Sequence, residues 1–356
     1  MLDRATSKGY PLTMLVNRAC LRRSTAVFLA FAAITVGCSS NPLTAPPPTI
    51  EPAAPAVSPP ALTHPAGELL PLGGRPATAI FDERTGSLAV LAPGVDPQSP
   101  STLTLFAVSG GTRELTLPGP ATALTGDDQG SAYLSTRGGY VTVDLAAGSV
   151  TPVSINDETD TDFTAIARRA DGRLVLGSAD GTAYTLGSES AVAEKVKVFA
   201  RVDAIVTEGN NAVVLDRGQT SVTSLNSDGR TQQALRAGEG ATSLAADPMG
   251  RVLVTDTRGG QLLVFGVDPL IERQAYPVPQ APYGLAGSRN LAWVSQTAAN
   301  MVVGYDLTTG IPVERVRYPT VQQPNSLAFD DSSDTLYVVS ATGAGVQVIR
   351  NAAGAR

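Results

Sequence analysis

The sequence predicts an all-β chain folded as a seven-bladed β-propeller, with an N-terminal strand completing the last blade. Three observations lead there. An apolar first-strand anchor recurs at Ile80, Leu124, Ile166, Ile205, Leu244, Leu285 and Leu327, at intervals of 44, 42, 39, 39, 41 and 42 residues. Each anchor is followed by a polar turn and then a second strand rich in Val and Leu. The last copy holds only three strands, while a strand-like stretch without its own blade, Gly67-Glu68-Leu69-Leu70-Pro71-Leu72, precedes the first copy. Four short antiparallel strands in a period of roughly 40–45 residues is the spacing of a propeller blade. Pairing the early stretch with Val346–Arg350 would close the ring and leave neither terminus as a ragged sheet edge.

Composition sets the limits. The chain has 356 residues, of which 43% are hydrophobic and 16% charged, so it is apolar enough to build a core and too sparsely charged for a disordered chain. Two Cys and one His leave no material for a disulfide framework or for a metal site built on those residues.

From the N-terminus, residues 1–37 read as a leader. Arg18, Arg22 and Arg23 form a basic region, and the twelve residues 26–37 (AVFLAFAAITVG) carry no charge. That run is shorter than the roughly 20 residues a bilayer-spanning helix needs, and suits the core of a secretory signal. Thr35-Val36-Gly37-Cys38, followed by Ser39-Ser40-Asn41-Pro42, resembles the lipobox of bacterial lipoproteins, with Thr35 where Leu is usual. The resemblance implies cleavage between Gly37 and Cys38 and a diacylglycerol thioether on Cys38. The implied location is the extracytoplasmic face of the cell membrane. Removing residues 1–37 takes away five basic and one acidic side chain and leaves a net charge of −10. A domain this acidic is repelled by nucleic acid and by anionic headgroups, so no nucleic-acid partner is expected and the lipid must hold it at the membrane. Arg outnumbers Lys 23 to 3, the bias of a GC-rich genome. Leader and composition together resemble actinobacterial, mycobacterial lipoproteins of the LppL type.

Residues 38–65 read as a disordered proline-rich linker. Positions 41–65 hold nine prolines in 25, which favours extended polyproline II at roughly 3.1 Å per residue and a reach of about 75 Å. Thr44, Thr49, Ser58 and Thr63 are hydroxyls open to O-glycosylation, and His64, the single His, is expected to be solvated there.

Residues 66–356 hold the blades. The second strands are expected at 87–91, 131–135, 173–177, 212–216, 252–256, 292–296 and 336–340. Third strands alternate, as in residues 140–145 and 261–265, and fourth strands such as residues 113–118 and 314–319 end in Pro. A terminal Pro suits an edge strand, which needs no ladder donor on its free side. Residues 241–256 (ATSLAADPMGRVLVTD) and 324–340 (PNSLAFDDSSDTLYVVS) resemble NHL and YVTN-type repeats. That resemblance implies the architecture and not an activity, since such repeats serve unrelated functions.

In such a ring the first strands line the central channel. The position two before each anchor holds Thr78, Thr122, Thr164, Asp203, Thr242, Tyr283 and Asn325, seven side chains able to hydrogen-bond at one structural level. They are the candidate binding residues of the channel rim, alongside Arg137, Asp180, Asp216, Arg217, Asp256, Arg258 and Gln296 in neighbouring loops. Catalytic signatures are sparse. Residues 66–356 contain no His for a Ser-His-Asp set and no Cys nucleophile, and no glycine-rich phosphate loop is present. Lys195 and Lys197 read as a solvated face of a polar strand. The acidic stretches 157–162 and 330–334 lack the ligand spacing of a calcium loop and read as turns. No cofactor or metal is expected. The function expected is non-catalytic binding or scaffolding in the cell envelope, toward an envelope protein or a polar ligand. The alternative is a metal-assisted lactonase or hydrolase using rim carboxylates, Asp203 among them.

Overall fold

The computed structural model describes residues 48–61 and 63–354, and every regular element among them is a β-strand. The strands form seven four-stranded antiparallel sheets. Six sheets are continuous in sequence, spanning 78–116, 121–154, 163–197, 204–236, 241–277 and 282–319. The seventh combines Pro324–Asp330, Thr335–Ser340 and Val346–Arg350 with Glu68–Leu70 as its outermost strand. Glu68 lies opposite Val348, Leu69 opposite Gln347 and Leu70 opposite Val346, so the ring closes as the two ends of the repeat pattern require. The closing strand is three residues long because Pro71 follows it and cannot donate to the ladder.

Alternation along the strands explains the packing. Each blade presents one apolar face to the blade before it and one to the blade after, so its middle strands are buried on both sides. Asn211–Asp216, with burial through Ala212 to Asp216, is one example. Seven apolar clusters result, one at each interface between neighbouring blades. Trp293 of blade 6 stacks on Phe329 of blade 7 at 5.5 Å, and Phe81 of blade 1 stacks on Tyr337 of blade 7 at 5.3 Å. Fourth strands lie outermost and are mostly exposed, as in Leu270–Pro277, which fits its terminal proline. The expected second strands are found within one residue of their expected bounds, for instance at Ser87–Ala92, Arg251–Asp256 and Thr335–Ser340.

Aspartates at the ends of first strands fix the turns of the lower rim. Asp82 Oδ1 accepts the Thr85 amide at 2.8 Å, and Asp247 Oδ1 accepts those of Met249 and Arg251 at 2.9 and 3.1 Å. Asp330 accepts the Ser332 amide at 2.9 Å. The acidic stretch 330–334 is therefore built around a turn cap, a local role that Asp side chains fill well.

The segment before the ring differs from a free stalk. Residues 48–61 have no helix or strand, as their five prolines would dictate, yet they are bonded to the propeller. Ile50 donates its amide to Gly218 O at 2.8 Å, and Ala53 and Ser58 are buried. Proline richness prevents a core, but it leaves main-chain carbonyls free, and the ring supplies donors to them.

Candidate functional site

The upper rim is formed by the loops between second and third strands and by the connections between blades. First strands begin there and run down the wall of a central cavity of about 680 Å³. Its depth is lined by apolar groups such as Ile80, Val206 and Leu285, and its upper mouth by Thr78, Asp203, Tyr283, Asn325 and Arg217. Thr122 and Thr242 also reach this wall, whereas Thr164 is buried away from it. Six of the seven expected rim positions thus converge on one cavity.

Several of their side chains are already engaged. Thr122 Oγ1 donates to Phe163 O of the next blade at 2.7 Å, and Thr164 Oγ1 to Val202 O at 2.5 Å. Thr242 Oγ1 lies 2.6 Å from Thr257 Oγ1, which donates to Pro282 O at 2.5 Å. The hydroxyls of Thr122, Thr164 and Thr257 thus fasten blade to blade, and Thr242 braces Thr257. The cause is a recurrent irregularity: the pairing register slips across Thr122, Thr164, Thr242, Tyr283 and Asn325 in their respective blades. A bulge re-aims the side chain it contains, so simple alternation does not fix where that group points. Of the seven expected rim groups, Thr122, Thr164 and Thr242 therefore already have protein partners for their hydroxyls.

Asp203 has a different task. Its Oδ2 accepts the Arg217 amide at 2.8 Å and its Oδ1 lies 3.2 Å from Arg201 Nε. Burial raises its carboxyl above the usual carboxylate range, and outweighs the opposing pull of the Arg217 amide and the charges of Arg201 and Arg217. Asn325 Oδ1 accepts Gln323 Nε2 at 3.0 Å.

The neighbouring loop residues are largely architectural. Asp216 is fully buried and accepts the amides of Gln219 and Ala200 at 2.9 and 2.7 Å. Asp256, equally buried, accepts those of Glu239, Gly240 and Gly259 at 2.8, 2.8 and 2.9 Å. Each carboxylate thus joins the loop after a second strand to the connection that precedes the same blade. Gln296 accepts Arg317 Nη1 at 2.7 Å. Arg137 and Asp180 stay near the surface, with Asp160 at 3.5 Å and Lys197 at 2.7 Å as their respective partners. Lys195 pairs with Glu158, which ties the stretch 157–162 to the strand once read as a bare solvated face. Among the described residues, no three His, Cys, Asp or Glu side chains are placed to share a metal ion. Gly37 and Cys38 lie outside the described residues.

What the sequence reading missed is the strap that crosses this rim. Arg258 Nη2 donates to Glu51 O at 2.6 Å, and Arg217 Nη2 donates to Ala53 O. Gln323 grips Ala56 O through Nε2 at 2.9 Å and accepts the Ser58 amide through Oε1 at 3.0 Å. Thr297 Oγ1 accepts the Ala56 amide at 3.2 Å, and Asn300 Nδ2 donates to Pro59 O at 2.8 Å. Ser58 Oγ is enclosed, donating to Thr297 O at 2.6 Å. It is 4% exposed, so Ser58 is withdrawn as an O-glycosylation site. The strap therefore runs over blades 4, 5 and 6 to the start of blade 7, and meets the cavity mouth at Arg217 and at the Gln323–Asn325 contact.

No protein-family model matches the chain, and no curated protein matches it. Solved structures do match in fold. A streptogramin B lyase is 12% identical, with a TM-score of 0.65 over 81% of this chain and 97% of its own. A catalytically inactive histidine-to-alanine variant of virginiamycin B lyase from Staphylococcus aureus, solved with quinupristin, is 11% identical, with a TM-score of 0.64 over 79% and 97%. U3-55K is 13% identical, with a TM-score of 0.67 over 81% of this chain and 100% of its own. These likenesses show the fold of this chain: a seven-bladed β-propeller.

Proposed function

We propose that this chain is an exported lipoprotein, anchored through Cys38 to the outer face of the cytoplasmic membrane. It presents its propeller as a non-catalytic binding or scaffold module to an envelope partner. The observation that carries this reading is the strap. The lipobox-like Cys38 precedes Ile50, the first residue bonded to the ring, by 12 residues. Fully extended, these residues reach roughly 40 Å, about half the span of a free stalk. The domain is thus held near the membrane by its upper rim, which raises its effective concentration for neighbouring envelope molecules.

The lyase likeness favours a second reading, an enzyme at the same cavity. In the virginiamycin B lyase a histidine-to-alanine change gives an inactive protein. The propeller of this chain contains no His, and His64, its single one, is exposed ahead of the ring. An enzyme here would have to use Asp203, which is already tied to Arg217 and Arg201. The binding reading needs no such group.

Mass spectrometry of the protein recovered from cell envelopes tests the anchor. The expected N-terminal peptide begins at Cys38 and carries a diacylglycerol mass. An exported form with Cys38 unmodified overturns the proposal.

A further inference from the structure

The strap is held by chemistry that is largely indifferent to its own side chains. Five consecutive rim donors, from Arg258, Arg217, Gln323, Gln322 and Asn300, point at main-chain carbonyls of residues 51–59. Carbonyls are the groups a proline-rich chain offers, because proline has no N–H and its extended form makes no internal hydrogen bonds. The two amides of Ala56 and Ser58 are accepted by Thr297 Oγ1 and Gln323 Oε1. Val57 is 91% exposed, and Pro52, Pro59 and Pro60 also face outward.

Within residues 51–59 only two side chains are buried, Ala53 and Ser58. The seat for Ala53 is shaped for a small residue. A Cβ on Gly240 would lie 2.8 Å from Arg258 Cβ and 3.0 Å from Ala53 Cβ. The walls of this track are fixed by contacts that do not involve the strap. Asp256 orders both loops around Gly240, Asp203 holds the Arg217 amide and Asn325 holds Gln323. A preformed track meeting an already extended ligand loses little conformational entropy on binding.

We propose that the upper-rim track is a receptor site for extended proline-rich polypeptide, with a small residue and, five positions later, a serine. Residues 50–59 occupy it in cis, and a like segment of another chain replaces them in trans. This deepens the binding reading above by naming the class of ligand. The cis segment is a built-in competitor. A short tether gives it an effective concentration in the millimolar range, so a free peptide that binds an open track at about 100 μM is weakened at least roughly tenfold.

The test uses the purified full chain in detergent and a labelled peptide of residues 49–61. The variant Ala53→Asp/Ser58→Asp places a charge in each seat and releases the strap. The peptide is expected to bind this variant at least tenfold more tightly than wild type. Adding Arg217→Ala and Gln323→Ala to it is expected to abolish binding. Equal binding to wild type and released variant, or binding that survives loss of Arg217 and Gln323, overturns the proposal. Hydrogen exchange on wild type gives a second measure that needs no variant. Excess peptide should strip protection from the Ile50, Ala56 and Ser58 amides and leave the blades protected, and protection unchanged at millimolar peptide overturns the site. Sedimentation of released variant mixed with wild type identifies the source: a mixed dimer points to a second copy of this chain, monomers that bind peptide to another polypeptide. The experiment contains no membrane, so its failure leaves the anchor untouched, and an unmodified Cys38 would leave the peptide site untouched.

Discussion

Ring closure depends on one fully buried amide. Gln347 has no exposed surface and makes three hydrogen bonds: its Oε1 accepts the Val321 amide at 3.0 Å, and its Nε2 donates to Ala66 O at 2.8 Å and Pro319 O at 2.9 Å. It thereby ties the closing segment to blade 6, blade 7 and the connection between them. Gln347→Leu keeps the volume and removes all three bonds. Pro319 O still receives the Ala66 amide at 3.0 Å, but the Val321 N–H is left buried without its acceptor. Three bonds at about 1 kcal/mol each, plus 1–3 kcal/mol for an orphaned buried donor, less about 1 kcal/mol for the added apolar burial, give a loss of roughly 3–5 kcal/mol. For a domain of this size the midpoint of thermal unfolding should fall by roughly 5–15 °C. Urea denaturation and thermal melts measure it, with the exposed Gln232→Leu on an outer strand as control, expected within about 0.5 kcal/mol of wild type. A Gln347→Leu protein that unfolds within 1 kcal/mol of the control would refute the claim that this amide secures the seam.

Two further outcomes follow from the same bonds. Thr164→Val, which removes the hydroxyl that reaches Val202 O across the interface, should cost about 1–2 kcal/mol in urea denaturation, whereas the same change at Thr78, for which no such fastening bond is seen, should cost less. Acid should also weaken the ring. Thr308 and Arg315 hold the Asp306 carboxyl down to about 2, and Lys197 and Ser178, against the opposing effect of burial, hold Asp180 down to about 2, from an ordinary value of 3.8. Depressed folded-state values mean that the unfolded chain binds protons first, so this stability is complete above pH 4 and lost between about pH 4 and 2. Melting curves of wild type and Asp306→Asn should converge across that window, and a constant gap down to pH 2 would count against the assignment.

The ring was legible because a propeller repeats one instruction. Anchors such as Ile205 and Leu244, and second strands such as Asn211–Asp216, each announce a blade through apolar alternation, and the spare strand at Glu68–Leu70 matches the one the last blade lacks. The rim was half legible. Position counting brought six of seven side chains to the cavity, but bulges at Thr122 and Thr164 turned hydroxyls toward the next blade and the one at Thr242 turned its hydroxyl onto Thr257, and a bulge leaves no mark in residue type. The strap was legible as extended chain and invisible as ligand. Its partners, Arg217, Asn300 and Gln323, sit 164 to 267 residues away in sequence, and what they hold is main chain, which every residue has. Ala53 and Ser58 differ from Ala54 and Thr63 in burial alone.

The order of the N-terminal contacts has a mechanical consequence. A pull on the chain from Cys38 meets the strap at Ile50 before it can reach the closing strand at Glu68–Leu70. The strap carries bonds to blades 4 through 7, spread from Gly218 to Gln323, whereas the closing strand pairs over three residues. Were the chain anchored at Cys38 as proposed, load would be taken up across several blades and would not peel open the seam, whose weakness is its shortness. The same arrangement couples occupancy to reach. With the strap seated, 12 residues separate Cys38 from its first bond to the ring at Ile50. With the track taken by another segment, about 28 residues would separate Cys38 from Ala66, and the largest possible distance would rise from roughly 40 Å to about 95 Å. Under the two proposals above, binding at the upper rim and distance from the membrane would be a single equilibrium, because one stretch of proline-rich chain cannot be both ligand and tether.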